Sequence, residues 1–172
     1  MELAIRNKWI SLRGSSVVKD LNENDVLKVK GKFWTFTRKK FVMTLDEKLL
    51  YTVGNKFWTL FVKKAFVYDD NGEVVAKIRK KFWSLHDHHF VECKYGDLQL
   101  RGNILGFDYH ISLNGKEVGH VARKISLRDS FVLSIDDDSL EPAFFVALVI
   151  AVDNITDEEA AAASSISFSS GD

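Results

Sequence analysis

Several things are scarce in this chain, and each scarcity excludes something. There is one cysteine, Cys93, in 172 residues. No internal disulfide can form, and a reducing compartment is expected. There is one proline, Pro142. No apolar run approaches the ~20 residues of a membrane-spanning helix. The stretch Met1 to Lys8 has no long apolar core of the signal-peptide kind. Gly-x-Ser-x-Gly, a phosphate loop and a dinucleotide fingerprint are all missing. The expectation is a cytoplasmic, non-enzymatic protein with no cofactor and no metal, able to visit a membrane surface without crossing it. A chain of this length is expected to form one domain with a substantial core.

Aromatic residues are plentiful: thirteen Phe and four Trp. The longest apolar run, Ala143 to Val152, spans ten residues. A helix apolar on every side must be buried on every side. Ser139 or Asp138 is placed to cap it, with Glu141 and Pro142 suited to its first turn. The spacing predicts a helix over about 140–153, ending a domain over 1–155. Residues 156–172 read as an acidic, Ala/Ser-rich tail with an optional short helix over Thr156–Ala163.

The remainder is repetitive. Lys32-Phe33-Trp34-Thr35-Phe36 recurs as Lys56-Phe57-Trp58-Thr59-Leu60 and as Lys81-Phe82-Trp83-Ser84-Leu85. Weaker copies surround Ile10-Ser11-Leu12 and Ile125-Ser126-Leu127. Alternation of large apolar residues with Ser or Thr has the period of a strand. It puts Trp34, Trp58 and Trp83 on one face with Phe36, Leu60 and Leu85, as packers against the helix. A second apolar strand follows each copy, and Asp/Asn/Gly turns such as Asn114-Gly115 separate the hairpins. Six hairpins make about twelve strands. So long a sheet tends to close, because open edges aggregate. A large barrel leaves an interior that the apolar helix can fill. The fold class expected is mainly β, an antiparallel barrel of about twelve strands enclosing a hydrophobic C-terminal helix.

The Lys-Phe-Trp hairpins, followed by Asp136-Asp137-Asp138 and an all-apolar final helix, resemble the LURP-one-related family. That family belongs with the tubby C-terminal-like barrels and is distantly similar to phospholipid scramblases. The resemblance covers about Met1 to Ile155. It implies a twelve-stranded barrel around a central C-terminal helix and brings no catalytic signature. Tubby relatives bind phosphoinositides through basic residues, but no residue of that site carries over to a position here. Lipid translocation is disfavoured, since the helix is too short to span a bilayer.

Formal charge is zero yet unevenly spread. Val26 to Lys94 holds fifteen Lys and Arg against seven Asp and Glu, whereas Asp129 to Asp172 holds ten acidic residues and no Lys or Arg. In serial hairpins, all turns of one kind fall at one barrel end. Turns inside the hairpins carry Arg13, Arg38, Lys39, Lys40, Lys63, Lys64 and Arg128, with His88 and His89. Those between hairpins carry Asp20, Glu23, Asp25, Asp46, Glu47, Asp69, Asp70 and Asp97. A barrel with one basic and one acidic rim is expected, the basic residues being candidate contacts for anionic lipid or nucleic-acid phosphate. His86-Asp87-His88-His89 near Cys93 could ligate a metal, but a solvated turn is the expected reading. The preferred function is docking on anionic phospholipid or phosphoinositide. The alternatives are a nucleic-acid-associated regulator and a protein-interaction domain using the acidic tail.

Overall fold

Alternation builds the wall. In Asp25-Val26-Leu27-Lys28-Val29-Lys30-Gly31, Leu27 and Val29 are buried while Lys28 and Lys30 stay partly exposed, as a two-residue period requires. The same logic runs through twelve antiparallel strands: β1 (Glu2–Arg6), β2 (Ser15–Asp20), β3 (Asp25–Gly31), β4 (Lys40–Met43), β5 (Leu49–Asn55), β6 (Lys64–Tyr68), β7 (Val74–Lys80), β8 (His88–Cys93), β9 (Gly96–Asn103), β10 (Asp108–Leu113), β11 (Lys116–Arg123) and β12 (Ser130–Ile135). Each pairs with its chain neighbour, and β1 closes the barrel on β12 through Leu3 opposite Leu133. The computed structural model describes residues 1–6, 15–31, 39–55, 64–80, 88–123 and 130–167, with Arg6, Ser15, Asn55, Lys80, Ser130 and the helix beyond Thr156 as backbone alone. The three Lys-Phe-Trp copies, with Trp34, Trp58 and Trp83, lie outside the described residues.

Helix α1 (Pro142–Ser167) follows β12. Every residue from Ala143 to Thr156 is buried. A helix buried on all sides cannot lie on the outer wall, so it occupies the barrel interior. Phe144 meets Tyr51 of β5, and at the other end Asp153 faces Lys40 of β4. The helix therefore starts where β8 turns into β9 and runs toward the opposite end. These are called below the turn end and the exit end.

Two expectations about the helix are corrected. Its cap is not Ser139: the Glu141 carbonyl accepts the Phe144 and Phe145 N–H groups at 3.1 and 3.4 Å, which makes Glu141 the capping position and Pro142 the first helical residue. Ser139 instead bonds Asp137 through its N–H at 2.9 Å and its hydroxyl at 2.6 Å. Nor does the helix end at 153. Asp157 to Ala163 are mostly helix formers with no Gly or Pro among them, and the backbone continues to Ser167, about 17 Å past Thr156 at 1.5 Å per residue.

Three successive turns at the turn end share one design. Glu23 N–H bonds Asp20 O at 3.2 Å, Glu47 N–H bonds Thr44 O at 3.0 Å, and Gly72 N–H bonds Asp69 O at 3.2 Å. The donor in each has a left-handed backbone, with φ of 64°, 68° and 85°. Glycine adopts that conformation freely, whereas a side chain is strained there. Glu23→Gly is therefore expected to raise stability by about 0.5–1 kcal/mol, and Gly72→Ala to lower it by about as much or more. Urea midpoints of the two variants check both signs. Asn114-Gly115 also forms its hairpin turn, with φ of 50° and 84°, as that dipeptide predicts.

Candidate functional site

Connectivity sorts charge between the two ends. Segments 7–14, 32–39, 56–63, 81–87, 104–107 and 124–129 join strands at the exit end, and their sequences hold ten Lys and Arg against two Asp. Segments 21–24, 44–48, 69–73, 94–95, 114–115 and 136–141 belong to the turn end, and hold ten Asp and Glu against two Lys.

Of the seven basic candidates, the described residues include Lys39, Lys40 and Lys64. Arg13, Arg38, Lys63 and Arg128 lie outside them. Lys39 is exposed just before β4, and its stem packs 3.6 Å from where a Cβ on Gly54 would sit. Lys64, opening β6, is half-buried. Lys40 does not belong to a docking surface. It is the first residue of β4 and its side chain points inward, 8% exposed, with Nζ 4.0 Å from Asp153 Oδ2, itself 6% exposed. Alternation explains this: Lys40 shares its face with Val42, a wall residue against the helix.

The histidines also differ from a solvated turn. His88 and His89 belong to β8 and face opposite ways. His88 Nε2 accepts a 3.0 Å hydrogen bond from Arg101 Nε and its ring lies tilted against Phe90, centroids 4.5 Å apart, whereas His89 is fully buried. His86 and Asp87 are outside the described residues. Cys93 donates its thiol to Gly96 O at 3.2 Å, and burial pushes its pKa up, away from a reactive thiolate.

At the turn end a cluster absent from the sequence reading pins the helix start. Tyr51 Oη donates to Glu141 Oε2 at 2.5 Å. Lys94 Nζ donates to Tyr51 Oη at 2.8 Å and to Glu141 Oε2 at 3.0 Å. Burial, with the Glu141 carboxylate adding, pushes the Tyr51 pKa up to about 12. The unfolded chain then loses this proton first, near pH ~10. The Tyr51 contribution to stability is intact below that pH and disappears as pH rises through about 12. Tyr51→Phe should flatten the alkaline limb of stability, measured as urea midpoints in that window. An equal fall in both proteins would show that Tyr51 does not carry it.

Among the described residues no helix is long and apolar enough to cross a membrane. No curated protein has a significantly similar sequence. An X-ray structure of a protein from Arabidopsis thaliana shares the fold, with a TM-score of 0.58, 18% identity and coverage of 90% of each chain. The sequence profile of the LURP-one-related family matches residues 1–153, which take in all twelve strands and most of the buried part of the helix. With that match over nearly the whole barrel, the chain belongs to the LURP-one-related family.

Proposed function

We propose that this barrel is a non-enzymatic docking module that settles on anionic phospholipid through its exit end. The observation that carries the reading is the segregation of charge: ten basic residues against two acidic ones in the exit-end connections, with the reverse at the turn end. Such a dipolar molecule is oriented by a negative surface before it touches it. Lys39 is exposed and Lys64 half-exposed at that end. Arg13, Arg38, Lys63 and Arg128 belong to the same set by sequence. Lys40 is removed from it, because its ammonium faces Asp153 inside the barrel.

Each Lys or Arg near an anionic leaflet contributes about 1 kcal/mol, and salt screens the attraction beyond ~10 Å at 0.1 M. Co-sedimentation with phosphatidylserine-containing vesicles should therefore exceed that with phosphatidylcholine alone and weaken as salt rises. Lys39→Glu/Lys64→Glu should lower the partition coefficient about tenfold or more, on that scale. Failure to sediment with any vesicle at low salt would sink the membrane reading. Steeply salt-dependent affinity for DNA or RNA without vesicle binding would favour the nucleic-acid alternative.

A further inference from the structure

The Lys94 cluster is built like a receptor for an ammonium ion. Three rings surround Nζ, with centroids at 5.3 Å for Tyr51, 5.1 Å for Tyr95 and 5.5 Å for Phe144. Rings and carboxylate come from separate elements: β5, the β8–β9 turn and the helix start. Tyr95 and Phe144 meet edge to face at 5.2 Å, Tyr51 and Phe144 at 5.8 Å, and Tyr95 Oη accepts the Glu141 N–H at 3.4 Å. The frame is thus held by contacts that do not involve Lys94.

The ring distances suit a larger cation than the one present. A methyl carbon in van der Waals contact lies about 3.5–4.0 Å from a carbon surface, and a C–N single bond adds about 1.45 Å. A methylated nitrogen in such a cage therefore sits about 5–5.5 Å from each ring, the spacing found here. Lys94 fills this space with a bare ammonium held by Tyr51 and Glu141. Its side chain is 37% exposed and that of Glu141 41%, so the path to solvent is open.

We propose that Tyr51, Tyr95, Phe144 and Glu141 form a binding site for a methylated ammonium group, with Lys94 as its built-in occupant. When the guest enters, Glu141 exchanges one cation for another and is never left unpaired, while Lys94 returns to water. An ion pair between such exposed groups is worth at most about fivefold in an equilibrium constant, and its ring contacts about as much again. Self-occupation therefore weakens guest binding by roughly 25-fold at most. The surroundings choose the source of the guest. The turn-end connections hold ten acidic residues against two basic ones, and Asp97 opens onto the same turn as Lys94 and Tyr95. A methylated lysine within a basic peptide suits that field, whereas the phosphate of a choline headgroup is repelled.

The test titrates the full chain, by calorimetry, with a basic peptide carrying trimethyllysine, its unmethylated twin and phosphocholine. Lys94→Ala should bind the methylated peptide about ten- to twentyfold more tightly than the wild type does, and prefer it to the unmethylated one. Adding Tyr95→Leu should remove that preference. Lys94→Gln, run in parallel, keeps most of the stem should alanine loosen the helix start. The proposal is overturned by equal affinity of wild type and both Lys94 variants, by indifference to methylation, or by tighter binding of phosphocholine than of peptide.

Discussion

Phe144→Ala lowers the unfolding free energy by about 3–5 kcal/mol, the cost of deleting a fully buried aromatic side chain whose space cannot collapse. Collapse is resisted because Phe144 is 0% exposed and is held between three rings, Tyr51 at 5.8 Å, Tyr95 at 5.2 Å and Phe145 at 5.6 Å. Edge-to-face pairs of this kind add about 0.5–1.5 kcal/mol each beyond buried area. In a domain of this size, 1 kcal/mol corresponds to about 2–4 °C, so the melting temperature should fall by about 10 °C. Leu105→Ala is the control: Leu105 is 64% exposed, and its removal should change stability by less than about 0.5 kcal/mol. Calorimetric melting of both variants decides the matter. Similar shifts in the two would mean that the helix start is not packed inside the barrel.

The second large effect concerns the buried pair. Lys40→Met leaves the Asp153 carboxylate in the interior without its ammonium, and breaking such a pair from one side costs about 3–5 kcal/mol. Removing both charges is a different matter. Two charges desolvated together gain little net stability over apolar side chains of similar volume, so Lys40→Met/Asp153→Leu should recover most of the loss. Urea unfolding of the two single variants and the double variant gives the coupling energy directly. If either single variant costs less than about 1 kcal/mol, the 4.0 Å approach of Nζ and Oδ2 carries no pairing in solution.

Much of the fold could be read from residue spacing. Alternation is legible in β9, β10 and much of β12, where outward Gln99, His110 and Ser134 separate inward Leu98, Leu100, Tyr109, Ile111, Leu133 and Ile135 with a period of two. The helix was legible for the opposite reason: Ala143 to Val152 has no polar face to give to water. Its end was not legible. Asp153 and Asn154 look like a stop signal in sequence, yet both are buried, and Asp153 faces a lysine from β4. That partner is 113 residues away in the chain and invisible to any local pattern. Lys40 misled in the same way. It stands in an Arg38-Lys39-Lys40 run, and a run of like charge reads as a solvated turn. The strand phase turns Lys39 outward and Lys40 inward.

The Lys94 cluster shows the same limit from the other direction. Tyr51, Lys94, Tyr95, Glu141 and Phe144 carry no motif, since no fixed spacing links them. They converge because closing twelve strands around one helix brings the β5 wall, the β8–β9 turn and the helix start to one place.

The sequence by itself determined the class of structure: strand period, turn chemistry and one wholly apolar helix admit few arrangements that bury what must be buried. It also determined that charge is sorted by end, because serial hairpins send alternate connections in opposite directions. Only the tertiary structure decided which charges face water and which face each other. That depends on strand phase and on contacts across the barrel, where a shift of one residue exchanges inside for outside.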